Sequence, residues 1–346
     1  MVRVRFAPSP TGTLHLGGAL SAAANRTFAD EHDGAMLLRI DDTDPARVVE
    51  GGEEEILGDL EWLGIGWDEG PVRQSDRAGR HRAAAALVAG AQTDADGTLR
   101  FDRTTLLRPD GSPTYQLASV VDDLDFGITH VIRGSDHRDN APLQAGLFRA
   151  LGAEPPEFVH HGLLLGPDGH KLSKRHGATS VADLREEGIP AEAVRAYLDE
   201  LGLPRHDVHL DLARVRRLAV EAIAAMSDGS LAARAGAPAE LAPALRGARD
   251  LVEAHEWART ILEPERAPLP EGSAATLDRF RELREAANGS LDPDAARSLV
   301  RELKAVGGNL RALRLALTGQ EHGPELATVI AALTRDEALR RVDAAL

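Results

Sequence analysis

Lys171 and Lys174 stand three residues apart inside KLSKR, and the 346-residue chain has only one other lysine, Lys304, against 37 arginines. A chain that uses arginine nearly everywhere else has placed two compact, mobile ammoniums on one glycine-flanked loop, GPDGHKLSKRHG. An ammonium offers three rotatable donors that a planar guanidinium does not imitate. Two of them closing over a triphosphate would stabilise the charge that develops as its α-phosphorus is attacked. The spacing is not that of a Walker A loop, which needs GxxxxGK[ST].

Near the N-terminus, PSPTGTLHLGG sets His15 between Gly12 and Gly17. A helix N-terminus after a parallel strand favours phosphate. Gly17 and Gly18 remove side chains where a nucleotide could approach the backbone, and His15 can donate to a phosphoryl oxygen. RIDDTDPAR follows the second apolar segment and carries Asp41, Asp42 and Asp44. These suit an ammonium, a ribose hydroxyl or a metal, although DDTD lacks the glycine and trailing glutamate of a calcium loop. A capped turn suits Asp44 equally, because Pro45 follows it. Arg5 and Arg39 fall on candidate strands, where a guanidinium needs either a ligand carboxylate or one of these aspartates. A further group comprises Tyr115, Asp122, Asp123, Arg133, Asp136 and His137. Arg133 closes the strand THVIR and can clamp a carboxylate bidentately, with the Tyr115 hydroxyl as a second contact, or pair with a structural aspartate.

The elements that must position these groups read as α/β. Strands are expected over 2–6, 35–40, 129–132 and 158–165, with LRF at 99–101 as a further short strand. Helices are expected over 16–32, 50–63, 75–91, 115–121 and 140–151. Strand, loop, helix, strand opens a parallel-sheet unit. Beyond 178 helices dominate, near 180–187, 190–201, 211–226, 238–262, 274–287, 293–306 and 323–333. Linkers are expected near 227–238 and 264–273, and no solenoid-type repeat occurs.

Composition sets the outer limits. Hydrophobic residues make up 43% of the chain and charged residues 27%, enough for a sizeable core. Aromatics are 3%, so Leu, Val and Ala must fill that core. There is no cysteine, which excludes disulfides, thiolate zinc sites, iron–sulfur clusters and cysteine nucleophiles. A formal charge of −15 argues against a general polyanion binder, though not against RNA held on a local basic surface. MVRVRFAPSPTG has no apolar signal region and no run of 18 apolar residues follows, so a cytoplasmic protein without membrane contact is expected.

Five segments in order resemble the class I aminoacyl-tRNA synthetases of the glutamyl and glutaminyl branch. They are RFAPSPTGTLHLG (5–17), RIDDTDP (39–45), PTYQLASVVDD (113–123), THVIRGSDH (129–137) and KLSKR (171–175). HLGG is similar to the family's HIGH-type signature and KLSKR to its KMSKS-type loop. The likeness covers roughly 1–203, and LRLALTGQEHGPELATVIAAL resembles the last helical part of a bacterial glutamyl-tRNA synthetase. The resemblance implies a Rossmann-like catalytic domain over 1–178 with a shortened insertion at 92–112. A helical, stem-contact-like region would follow over 179–237, and a helical C-terminal domain resembling part of an anticodon-binding region over 238–346.

It also implies a reaction. ATP, accompanied by Mg²⁺, would activate L-glutamate as the adenylate, and the 3′ end of tRNA(Glu) would receive it. His15, Lys171 and Lys174 would be catalytic; Thr11, Gly12, His15, Gly17 and Lys174 would hold ATP. Arg5, Ala7, Ser9, Asp41, Tyr115, Ser119 and Arg133 would bind glutamate, with no metal ligand and no structural zinc, in a monomer. Three positions depart from the family's habit: Ser119 for Asn, Ser135 for Glu and Asp41 for a frequent Glu. Only about 40 residues join Gln74 to Tyr115, where the family inserts a substantial acceptor-end domain. Those departures keep a second expectation open: a paralogue that loads glutamate or a related amino acid onto a modified tRNA base, a small molecule or a carrier protein. Intact His15, Lys171 and Lys174 weigh against a third, a non-catalytic binding module.

Overall fold

The computed structural model describes residues 1–170, 172, 179–287 and 289–346, so Lys171 and Lys174 lie outside the described residues. The chain divides into two compact units, one of residues 1–186 and 194–212, the other of 187–193 and 213–346.

In the first unit β1 (Arg3–Phe6), β2 (Ala35–Ile40) and β3 (Glu69–Arg73) form a parallel sheet, with Arg3 opposite Ala35 and Phe6 opposite Leu38. Helix α1 (Leu16–Glu31) crosses between the first two strands and buries Leu16, Ala19, Leu20 and Ala23, the i, i+3, i+4, i+7 set of one face. Helix α2 (Gly52–Trp62) crosses between the next two. The chain then returns to the other side of β1. There β7 (His130–Gly134) lies against β1, the Thr129 N–H donating to the Arg3 carbonyl at 2.9 Å. β8 (Glu157–His161) pairs parallel with β7. The spatial order β3-β2-β1-β7-β8 reverses direction between β1 and β7, the position at which open α/β sheets bind ligands beyond their carboxyl ends.

The segment joining β3 to α4 (Tyr115–Asp125) departs from the expected single helix over 75–91. A 3₁₀ turn over Ser75–Arg77 leads into α3 (Ala78–Ala85), which ends early because Leu87, Val88 and Ala91 make i→i−3 turn bonds around Gly90, whose φ is +84°. A small antiparallel sheet of β4 (Gln92–Thr93), β5 (Leu99–Phe101) and β6 (Thr104–Leu107) follows, so LRF is a strand as expected and has partners on both sides. Leu106, Val88, Leu117, Val121, Leu147 and Phe148 form one apolar cluster that seats this sheet on α4 and α5 (Ala141–Ala150).

The expected strand over 158–165 is broken at Gly162. Its N–H donates to the Pro204 carbonyl, and a Cβ there would lie 1.9 Å from the His206 carbonyl oxygen, so only glycine allows the two backbones this close. Beyond the break, β9 (Leu164–Leu165) pairs with β10 (Val208–His209) instead of continuing beside β7. Helices α6 (Val181–Glu186) and α7 (Ala191–Leu201) come between them in sequence.

The second unit is helical: α8 (Leu212–Ala225), α9 (Asp228–Ala235), α10 (Ala242–Leu245), α11 (Leu251–Leu262), α12 (Ala274–Ala286), α13 (Pro293–Ala305), α14 (Leu310–Thr318), α15 (Leu326–Ala332) and α16 (Arg335–Ala345). The span 227–238, expected as a linker, is the helix α9. Ser227 caps it by accepting from the Ser230 N–H, and Gly236 ends it at φ +66°. The helix expected over 238–262 is split by a turn between α10 and α11, where Asp250 starts a fresh helix by accepting from the Glu253 N–H. Residues 264–270 have no regular secondary structure. Leu277, Phe280, Leu303, Leu313, Ile330 and Val342 are fully buried at the centre. Among the described residues no helix is long and apolar enough to cross a membrane.

Candidate active site

Beyond the carboxyl ends of β1 and β7 opens a cavity of about 630 Å³. Ten of the expected site residues line it: Arg5, Ala7, Ser9, Thr11 and Gly12 from the first strand and its loop, then His15, Gly17, Asp41, Tyr115 and Arg133. Leu172, the described residue between the two lysines of the basic loop, lines it as well. Ser119 is the exception. It sits one turn beyond Tyr115 on α4, where its short side chain is buried without reaching the cavity, and its hydroxyl has no partner among the described residues.

Loop 7–15 is held by backbone bonds rather than by its own side chains. Asp41 N–H donates to the Pro8 carbonyl and Val49 N–H to the Pro10 carbonyl, both at 2.9 Å. Gly12 sits at φ +107°, a conformation L side chains rarely adopt. His15 is exposed and occupies the N-cap position of α1, yet its imidazole makes no cap bond there. The two glycines that follow differ. A Cβ at Gly18 would press on Leu14 at 2.8 Å, whereas one at Gly17 would meet nothing within 4 Å. Gly18 is therefore packed closely against the Leu14 side chain. Gly17, which lines the cavity, leaves room that no atom of the described residues uses.

The acidic and basic residues sort themselves by partner. Arg39, 1% exposed, donates through Nε to Asp41 Oδ1 at 2.7 Å, through Nη2 to Asp41 Oδ2 at 3.2 Å and through Nη1 to Asp123 Oδ1 at 2.7 Å. Burial works against that charge, but Asp41 and Asp123 outweigh it and raise the Arg39 pKa. Of the two roles open to Arg39, the structure takes the aspartate pair. Arg5 is half committed: its Nε reaches Asp123 at 3.3 Å and its Nη1 the Ile132 carbonyl at 3.4 Å. Asp42 accepts from the Ser75 N–H and hydroxyl, and Asp44 from the Ala46 N–H. Among the described residues no cluster of three His, Asp or Glu side chains could hold a metal ion. Asp122 accepts from Gln74, Arg77 and His81 in a buried network. Burial alone would raise its pKa; His81, Arg39 and Arg77 hold it below the usual carboxylate range.

Arg133 stands apart from this pairing. It is 7% exposed and lines the cavity, yet it has no carboxylate within ion-pair distance among the described residues, and its Nη2 lacks any partner there. Its Nε donates to His160 Nε2 at 3.4 Å, and the guanidinium lies 5.3 Å from the Phe158 ring centroid. Burial, with Arg5 nearby, pushes its pKa down, against the opposing pull of Tyr115 and Asp123. Burial and Arg133 likewise lower the His160 pKa, which keeps that ring a neutral acceptor. A buried guanidinium aimed at a cavity and short of an anion is a receptor for one. Sequence reading missed His160 and Phe158, which β8 places behind Arg133 because both residues of that strand face the same neighbour; EFVHH carries no signal of this.

A cationic pocket and a glycine-lined helix start share one cavity at the switch point of a parallel sheet, in the order of segments set out above. A family model for the catalytic domain of class I tRNA synthetases (E and Q) matches residues 1–89 and 92–218. The chain belongs to that family. An anticodon-binding domain model matches residues 265–346. Glutamate–tRNA ligase 1 of Rubrobacter xylanophilus is 37% identical, over 99% of this chain and 97% of its own length. The alignment runs over 422 positions, so the relative carries residues that this shorter synthetase chain lacks. The glutamate–tRNA ligase of Caulobacter vibrioides is 32% identical over the whole of this chain and 97% of its own. In fold, the chain resembles a glutamate–tRNA ligase from Elizabethkingia meningosepticum, whose crystal structure is a complex with its amino acid. The TM-score is 0.77 at 23% identity, over 99% of each chain.

Proposed function

We infer that the protein is a glutamate–tRNA ligase, which activates L-glutamate with ATP and transfers it to the 3′ end of tRNA(Glu). The observation that carries this reading is the buried Arg133 guanidinium, whose Nη2 has no partner among the described residues, in the same cavity as the open glycine turn. Near-full-length likeness to two glutamate–tRNA ligases supports it, and so does the anticodon-binding match at residues 265–346.

Glutamate enters with its side-chain carboxylate on Arg133, and Arg5 offers its remaining donors nearby. Asp41, although tied to Arg39, keeps carboxylate lone pairs that can accept from the α-ammonium. Ala7, Ser9 and the Tyr115 ring shape the wall between them. ATP lies against Thr11, Gly12 and Gly17, with His15 donating to the phosphates. The glutamate α-carboxylate oxygen then attacks the α-phosphorus, and the bond to the leaving pyrophosphate breaks. A terminal ribose hydroxyl of tRNA next attacks the mixed anhydride and AMP departs. Neither step needs a side-chain nucleophile, so the chain's work is positioning and charge stabilisation. Lys171 and Lys174 are assigned to the pyrophosphate on their motif. The described residues offer no carboxylate cage for Mg²⁺, which would arrive on the triphosphate oxygens.

Incubation with ATP, radiolabelled glutamate and total RNA tests the reading. Label should enter an acid-precipitable product that RNase releases. Label in an RNase-resistant product would transfer the assignment to a different acceptor.

A further inference from the structure

Asp59 is a carboxylate that the mechanism above does not use, although its residue is only 3% exposed. It lies on the inner face of α2 in register with Ile56, Leu60 and Leu63, where an apolar residue would be expected. Its two oxygens face different segments. Oδ2 accepts from the Leu14 backbone N–H at 3.0 Å, and Oδ1 accepts from Arg185 Nη2 at 2.6 Å. Leu14 precedes His15 in the nucleotide loop. Arg185 lies on α6, the helix that follows the KLSKR loop in sequence, with its guanidinium 4.8 Å from the Trp62 ring centroid.

The same two segments also meet through their backbones. Leu16 N–H donates to the Thr179 carbonyl and Val181 N–H to the Leu14 carbonyl, each at 2.9 Å, so that His15 bridges Ser180. Residues 179–180 are themselves stiff. Thr179 and Ser180 N–H groups both donate to Asp183 Oδ2, and the Ser180 hydroxyl accepts from the Asp183 N–H, as in a capping box. The other end of α2 braces the loop as well, since a Cβ at Gly52 would touch the Pro10 carbonyl at 2.8 Å.

We propose that Asp59 is a positioning residue for the nucleotide step: one buried carboxylate fixes the His15 loop and α6 in mutual register, and so aligns His15 with the phosphates. The proposal rests on the ligase reading, and it deepens that reading at the ATP end of the site. Its physical basis is that catalytic groups must be held within about half an ångström of their productive position. A misplacement of about 1 Å costs on the order of 100-fold in rate. Loss of one latch, with the backbone bridge at 14–16 and 179–181 intact, should cost less, roughly tenfold.

The test compares Asp59→Asn with Arg185→Gln and Arg185→Lys in the full chain. Asparagine keeps the shape but has one oxygen for two donors, so Leu14 and Arg185 must compete. Glutamate-dependent pyrophosphate release, with tRNA(Glu) present, should show KM for ATP raised about tenfold in Asp59→Asn. KM for glutamate should stay within about twofold, because no contact of Arg133 has moved. Arg185→Gln should move KM for ATP in the same direction, Arg185→Lys should restore it, and the double variant should be no worse than Asp59→Asn. Calorimetric titration with ATP should repeat the loss without any turnover. An unchanged KM and affinity for ATP in Asp59→Asn would overturn the proposal, and so would equal losses for ATP and glutamate that merely follow a lower Tm. Should Asp59→Asn fail to fold, the exposed Arg185 pair of variants decides by the same criteria. Absence of glutamate-dependent release in the unsubstituted protein would sink the ligase reading instead, and the ATP titration would still judge Asp59.

Discussion

The two units differ in whether they bury charge. The first carries exposed pairs such as Arg100 with Asp94, but it also takes a set inside: Arg39, Asp41, Asp122 and Asp123 are all less than 10% exposed and gather around the strand ends. In the second, most pairs lie on helix surfaces. Arg279 with Glu302, Arg297 with Glu325, and Arg340 with Glu337 have arginines 41–66% exposed. Surface pairs of that kind contribute about 0–1 kcal/mol each. Buried charges carry a desolvation cost of several kcal/mol that only close partners offset. A fold accepts that cost where it needs rigid, oriented groups, and Arg5, Asp41 and Arg133 of the first unit line the cavity. Arg133 has no carboxylate partner among the described residues, and it faces the cavity, where a ligand anion can supply one.

That contrast can be broken at four points. Arg39→Met should have the largest effect on stability, because it strands Asp41 and leaves Asp123 only the longer contact from Arg5; loss of one member of a buried pair costs about 3–5 kcal/mol, readable by urea unfolding. A loss below about 1 kcal/mol would mean the cluster is not the clamp described. Arg133→Met should behave in reverse. Truncating one side of a buried charge pair with a ligand costs about 2–5 kcal/mol, so kcat/KM for glutamate should fall on the order of 100-fold or more. Tm should hold or rise, since an unpaired cation has been replaced by an apolar chain. A Tm drop matching that of Arg39→Met would show Arg133 to be structural.

Gly17→Ala is third. The added methyl meets no protein atom, so Tm should not fall, while KM for ATP should rise by roughly tenfold if the nucleotide occupies that space. The smallest effect belongs to the helical unit. Glu337, bonded to Arg340 and Arg341, has its pKa lowered to about 2. A carboxylate with a depressed folded pKa stabilises above its unfolded value and loses that contribution as the pH falls through the folded one. Glu337→Gln should therefore cost under about 1 kcal/mol at pH 7, given its exposure, and the gap should close between pH 4.5 and about 2. A gap that persisted at pH 2 would contradict the pairing.

The parts of this arrangement legible in the sequence were those written in punctuation. PSPTG, the glycines after His15 and the apolar runs at 35–40 and 129–132 mark the loop and strands that frame the cavity. The resemblance carried by the five segments named the activity. Pairing was not legible: Arg5, Arg39 and Arg133 look alike in sequence, and only three-dimensional packing assigns Asp123 to the first two and none to the third. Ser119, named by the resemblance, does not line the cavity, and how far a side chain reaches is not written in the sequence. In the helical unit, Ser227 and Gly236 are cap signals that local composition disguised as a linker. Asp59 did leave a trace, a carboxylate at a position where α2 should be apolar.

The central claim is that Arg133 receives the glutamate side chain in the cavity that also takes the nucleotide. Calorimetric binding of a non-hydrolysable glutamyl-adenylate analogue, set against its glutaminyl counterpart, tests it most directly. The unsubstituted protein should prefer the glutamyl analogue, and Arg133→Met should lose that preference together with on the order of 100-fold or more in affinity. Equal affinity in both proteins, with the preference intact, would contradict the claim.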